Sequence, residues 1–303
     1  WYKTSAEQLQ AEEAIPAMIE GFKDEIPRIP KSKRPKLVKS ASDYMNSIMI
    51  GDPHLDMLAY DKETGSNWDS DIAYTQHRIA VTNLINRAPP AEVMEVCVLG
   101  DSLHRDSLKA LTPGSGNLVD VDGRLSRSLR VAVKLFRECV TTALTRSDRV
   151  VFSIARGNHS ETLELCLSMM MQIAFEKEPR VQVLDNTCKH IPYTFGDNFI
   201  LTTHRDRMND QRLADVATAM FRAKHGGAKF THIRTGHLHH AAIKEVSGCL
   251  VETFQALPTP DAWHTESGYV SSDQAVNMVT YHKKGGIVGR MTEYPRIFMD
   301  GES

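Results

Sequence analysis

Five short segments of this chain carry residues able to bind a cation or move a proton. They are Gly51-Asp52-Pro53-His54, Gly100-Asp101-Ser102-Leu103-His104, Gly157-Asn158-His159, His204-Arg205-Asp206 and Gly236-His237-Leu238-His239-His240. Each follows an apolar run, directly or, for the third, after Arg156: MNSIMI, EVCVL, VVFSIA, FILTT or THIRT. A single histidine at a strand end is usually an ordinary polar rim residue, but five such endings in sequence order make a constellation. Their donors are imidazoles, carboxylates and one amide, without a thiolate. That set suits a pair of divalent ions; Mn²⁺ is expected because hard oxygen and imidazole donors are mixed, with Fe²⁺, Zn²⁺ and Mg²⁺ as alternatives. Asp52 and His54, two apart on chain that reads as extended, should project to one side and share an ion. His237 and His239 repeat that spacing, with Leu238 turned away.

The elements that must hold these residues follow from the pattern around them. From about residue 45, short apolar runs alternate with helical periods at 71–87, 124–146, 160–175 and 210–224, the signature of an α/β fold. In such folds ligands bind beyond the carboxyl ends of the strands, so the five endings should meet in one crevice. The motif glycines are expected where the backbone bends sharply. The 124–146 segment has an apolar stripe through Leu125, Leu129, Leu135, Phe136, Cys139, Val140, Ala143 and Leu144. Arg124, Arg127, Arg130, Lys134 and Arg137 form a basic stripe on another side, read first as the wet face of a helix. After residue 240 the texture is strand-like, with Lys283-Lys284-Gly285-Gly286 as a hairpin turn.

Residues 5–23 are helix-like but interrupted by Pro16, and 27–39 (PRIPKSKRPKLVK) holds six Lys/Arg, three Pro and no acid. Residues 1–40 therefore read as a helical extension and solvated basic linker before a catalytic domain at 41–303. The chain begins at Trp1, and an N-terminal module of a longer chain is expected to precede it. A formal charge of −2, with 41% hydrophobic and 24% charged residues, exerts no global pull on polyanions or membranes, so any such contact must be local. Five scattered cysteines without CxxC spacing argue against a disulfide framework and a thiolate zinc site, and fit a reducing cytoplasm. No apolar run approaches the roughly 18 to 20 residues of a spanning helix, and the N-terminus lacks a signal-peptide layout.

The ordered set Asp-x-His, Gly-Asp, Gly-Asn-His, His, Gly-His-x-His resembles the calcineurin-like metallophosphoesterase superfamily over residues 51–240. The resemblance implies a four-layer αββα sandwich of two mixed β-sheets flanked by helices. It implies two metals: one held by Asp52, His54 and His239, the other by Asn158, His204 and His237, with Asp101 bridging. It further implies phosphoester hydrolysis, because two ions can bind phosphoryl oxygens and generate a hydroxide for in-line attack. His159, not a metal ligand in that pattern, is the expected general acid for the leaving oxygen.

His104, three residues after Asp101 in LGDSLHRD, is similar in placement to a histidine that assists catalysis in DNA double-strand-break-repair nucleases. The Gly-Asp-x-Val-Asp-Arg wording of the protein phosphatases is not matched. The expected activity is thus phosphodiester hydrolysis in nucleic acid or nucleotides, with a phosphomonoesterase or a non-catalytic metal-binding module as alternatives. The layout is also similar to bacteriophage-encoded members of the superfamily, and a homodimer is among the expected assemblies. The segment carrying Trp263, His264 and Tyr269 could wall the site and stack a base, although core packing is the favoured expectation for Trp263. Two departures from the superfamily's wording stand out. Arg205 follows His204 where Gly is common, and Ser160 replaces an acid after His159, where it is expected to N-cap the next helix.

Overall fold

A computed structural model describes residues 39–295. The helix-like stretch at 5–23 and the basic linker up to residue 38 lie outside the described residues. In chain order the strands are β1 (Tyr44–Ile50), β2 (Val93–Val98), β3 (Arg149–Ile154), β4 (Val181–Val183), β5 (Ile191–Phe195) and β6 (Asn198–Thr202), then β7 (Phe230–Thr235), β8 (Ala242–Val246), β9 (Cys249–Thr253), β10 (Val276–His282) and β11 (Gly286–Glu293). The helices are α1 (Asp61–Thr64), α2 (Ser70–Arg87), α3 (Leu125–Leu144), α4 (Glu161–Phe175), α5 (Asp210–Met220), α6 (Arg222–Gly226) and α7 (Ala262–Glu266).

The strands form two mixed sheets, ordered β11-β10-β1-β2-β3-β4 and β5-β6-β7-β9-β8. Strands β1 to β4 run parallel, as do β6, β7 and β9, while β5, β8, β10 and β11 pair antiparallel. The central strands are buried over nearly all their residues, β2 and β6 on every one, because both faces are covered. Such strands must read as continuous apolar runs rather than alternating ones. Three apolar clusters mark the layers. One packs α2, α3 and α4 on the first sheet, a second lies between the sheets around Met45, Cys97, Ile200 and Phe254, and a third packs α5 on the second sheet. The result is a four-layer αββα sandwich.

The stripe of α3 forms the inner face of the first helical layer, with Leu129, Leu135, Phe136 and Ala143 all buried. Each such Leu or Phe contributes about 1.5–3 kcal/mol by leaving water. The basic residues of α3 face outward, and Arg127 is already paired with Asp71 and Asp122. The helix expected over 210–224 is broken. Phe221 leaves helical geometry between α5 and α6, and its ring packs on Phe199 of the second sheet. The segment after residue 240 serves both sheets: β8 and β9 extend the second, and β10 and β11 return to the edge of the first. No helix among the described residues is long and apolar enough to cross a membrane.

Candidate metal centre

The parallel strands of both sheets point their carboxyl ends the same way, and the five motifs lie just beyond β1, β2, β3, β6 and β7. Their glycines serve mainly to make room. A Cβ on Gly157 would fall 2.0 Å from Asp101 Oδ1, one on Gly100 would fall 2.5 Å from His204 Nδ1, and one on Gly236 would fall 2.9 Å from Asp52 Oδ2. Only Gly100 among these three takes a left-handed backbone, at φ 103°. The strain lies in the candidate ligands themselves: Asp52, His54, Asp101, His237 and His239 all have φ between 37° and 73°. The expectation that Asp52-x-His54 and His237-x-His239 are extended is therefore corrected. Each pair places two residues of left-handed φ on either side of one with ordinary φ, and such conformations cost of order 1–3 kcal/mol per residue unless their surroundings hold them. Here they are held: His54 N–H donates to the Asp101 carbonyl at 3.0 Å, and His237 N–H donates to the Asp52 carboxylate at 2.9 Å.

Ligand atoms of Asp101, His204 and His237 lie within 4.8 Å of one another, and so do those of His54, His104 and His159. Asn158 joins the first group, its Oδ1 3.0 Å from His204 Nε2. Asp101 stands between the groups. One of its oxygens lies 3.0 Å from His204 Nε2 and the other accepts the His159 backbone N–H at 2.7 Å. Asp52, His54 and His239 do not close into a comparable trio. The Asp52 carboxylate is turned to His237 N–H and to His204 Nδ1 at 3.3 Å, while the His239 ring lies 5.6 Å from that of His54. His104 is buried, with Nδ1 3.0 Å from His54 Nδ1, and its ring stacks on His159 at 5.0 Å and 11°.

The electrostatics suit cation binding. Burial, reinforced by neighbouring imidazoles, lowers His104 to about 3, His239 to about 3 and His237 to about 4, and pushes His54 down as well. These rings are neutral at ordinary pH, with lone pairs available, as metal ligands must be. Burial raises Asp52 to about 7 despite the pull of His204. Burial opposes charge on His204 too, but Asp101 and Asp52 outweigh it and lift the ring to about 10. Two buried carboxylates thus find positive charge chiefly in one protonated imidazole. The residues present fit such ions.

No protein-family model matches the chain, and no curated protein is similar to it. Among solved structures it is similar to an archaeal phosphodiesterase at 14% identity and TM-score 0.40, over 82% of this chain and 98% of that one. It is similar to a conserved uncharacterized protein of Streptococcus pneumoniae, a predicted phosphoesterase, at 11% identity and TM-score 0.35, over 82% and 98%. Zinc-complexed Vps29 of Entamoeba histolytica follows at 12% identity and TM-score 0.30, over 82% and 99%. At these TM-scores the chemistry of those proteins does not carry over, and this chain's own side chains must speak for it.

Several contributors escaped the sequence reading. β9 also ends at the crevice, and Asp261 follows it, beside His264 of the segment already expected to wall the site. Asp261 takes the His264 ring at 2.7 Å and lies 3.5 Å from His104 Nε2. Asp56 accepts the His104 backbone N–H at 2.7 Å and pairs with Arg105. Glu164, wholly buried on α4, accepts the backbone N–H groups of Ser102 and Gly157 and so fastens two of the motif turns together.

Ser160 occupies the cap position of α4 without capping it. Its hydroxyl accepts Leu103 N–H at 3.2 Å and bonds Glu164, because the space behind the helix start is already polar. The free N–H groups of Thr162 and Leu163 go instead to the Asp106 carboxylate at 3.1 and 2.9 Å. Arg205 is held by Asp210 and Thr253 rather than standing free beside the centre. Trp263 is not core packing but 60% exposed.

Proposed function

We propose that this chain is a metal-dependent phosphoesterase that hydrolyses phosphodiester bonds in nucleic acid or nucleotides. The observation that carries the reading is the position of Asp101. Its carboxylate lies against His204, beside Asn158, and also fixes the backbone of His159, so one side chain ties the ligand group to a candidate proton donor. Divalent cations bound by Asp52, His54, Asp101, Asn158, His204, His237 and His239 would supply the Lewis acid and the activated water.

The rest falls to the protein's own groups. His159 is half-buried, with its ring stacked on His104 and its Nδ1 3.3 Å from the His104 carbonyl, which sets the ring for proton delivery to a leaving oxygen. His104 is braced between His54 and Asp261 at the same edge of the centre. A histidine pair here, together with the similar placement of His104 in the repair nucleases, supports a diester substrate. Mn²⁺ remains the proposed metal because oxygen and imidazole donors are mixed.

The test is Mn²⁺-dependent hydrolysis of bis(p-nitrophenyl) phosphate and single-stranded DNA, with p-nitrophenyl phosphate as the monoester control. Asp101→Asn should lose about a thousandfold in rate, the several kcal/mol that a correctly held Lewis acid supplies. His159→Ala should lose about 10²- to 10⁴-fold, the range of general acid catalysis. Full activity in both variants would overturn the proposal, and strong preference for the monoester would overturn the diester assignment.

A further inference from the structure

The segment between β9 and β10 carries two large aromatic side chains that the fold holds in water. Trp263 is 60% exposed and Tyr269 is 64% exposed, yet their rings stack on each other at 5.8 Å and 25°. Exposed aromatics held in this way contribute little to the protein's own core, since the area that would stabilise it stays wet.

They are anchored to the metal centre. Asp261 caps the short helix α7 by accepting the His264 backbone N–H at 2.7 Å, and the same oxygen takes the His264 ring. His264 then stacks on the candidate ligand His239 at 5.2 Å and 18°, and meets Trp263 edge-on at 5.0 Å. Tyr269 N–H closes the turn onto the His264 carbonyl at 2.8 Å, with Gly268 at φ 80° allowing the chain to reverse. Two ring-to-ring steps thus join the centre to an aromatic face in solvent.

We propose that Trp263 and Tyr269 form a stacking platform for the nucleobase adjacent to the scissile phosphate. This rests on the phosphodiesterase reading given above and names its substrate class more narrowly: esters bearing a base that is free to stack, as in single strands or nucleotides. Every base has a π-face, so such a platform binds without sequence preference.

The test compares two p-nitrophenyl diesters with the same leaving group, thymidine 5′-(p-nitrophenyl phosphate) and methyl p-nitrophenyl phosphate. Trp263→Ala should raise KM for the thymidine ester by about 5- to 100-fold, the range set by base–aromatic stacking. The base-free methyl ester should change by less than about twofold, and Trp263→Phe should retain most of the preference. Equal loss on both esters, or no loss on either, overturns the platform while leaving the hydrolase reading intact.

A second measurement does not depend on turnover. In the chelated protein, Trp263 fluorescence should be quenched by a ten-residue thymidine oligonucleotide and not by an abasic oligonucleotide of the same length, and Trp263→Phe should abolish the effect. Absence of hydrolysis by the unmodified protein would overturn the function and not the platform. Absence of quenching would overturn the platform.

Discussion

Two polar clusters lie on the same five strands, a short distance apart, and they solve the problem of buried charge in opposite ways. Between the sheets, Glu95 of β2 meets Arg234 of β7 in a two-pronged ion pair at 2.6 and 2.9 Å, both side chains being essentially inaccessible. Ser47 of β1, Ser153 of β3 and Thr202 of β6 supply the remaining hydrogen bonds. At the carboxyl ends the same strands present Asp52, Asp101, Asn158, His204 and His237. The inner cluster cancels its own charge. The outer one sets two carboxylates against a single protonated imidazole, His204, among others that burial keeps neutral, a donor set suited to cations from outside. A fold can thus bury charge for structure and for chemistry within one layer, and partner count separates the two.

The widest expected separation is in stability. Glu95→Gln should cost about 3–5 kcal/mol in urea unfolding, because Arg234 is left buried without a counter-charge. Added Mn²⁺ should not restore it; rescue by metal would show that the two clusters are one. Conversely, Mn²⁺ at a hundredfold excess over its Kd should stabilise the unmodified protein by about 2.7 kcal/mol. Asp101→Asn should abolish that gain, as thermal unfolding with and without metal would read.

The smallest effect sharpens the boundary between the clusters. Burial, then the nearby charge of Asp101, raises Glu164 to about 8. In the chelated protein the folded state therefore holds a proton that the unfolded state releases once pH exceeds the ordinary glutamate range. Stability relative to Glu164→Gln must then fall as pH rises from about 4.5 to 8. Metal should flatten this difference by neutralising Asp101. A slope of opposite sign in the chelated protein would place Glu164 with the closed cluster instead.

Much of this was legible in the residues. The alternation of apolar runs with helical periods marked nearly every central strand to within a residue or two, since strands buried on both faces must be apolar throughout. The chemistry-bearing residues at the strand ends were also legible, because a motif confined to one turn needs no knowledge of the rest of the chain. Glu95 inside EVCVL and Arg234 inside THIRT were visible as charges in apolar runs, but their pairing across 139 residues was not. The same holds for Asp106 capping α4 in place of Ser160, and for the exposure of Trp263.

By itself, then, the sequence determined the α/β class, the strand ends expected to converge and the donor types gathered there, because these depend on local periodicity and on residues within a few positions of one another; the four layers were implied only by the resemblance. Only the tertiary structure decided that several candidate ligands take left-handed φ and that Glu164 fastens the second and third motifs together. It alone decided that Asp261 joins the rim and that an aromatic pair stands beside it in water. Those outcomes depend on which distant groups compete for the same small volume, and that competition is settled only when the two sheets close on each other.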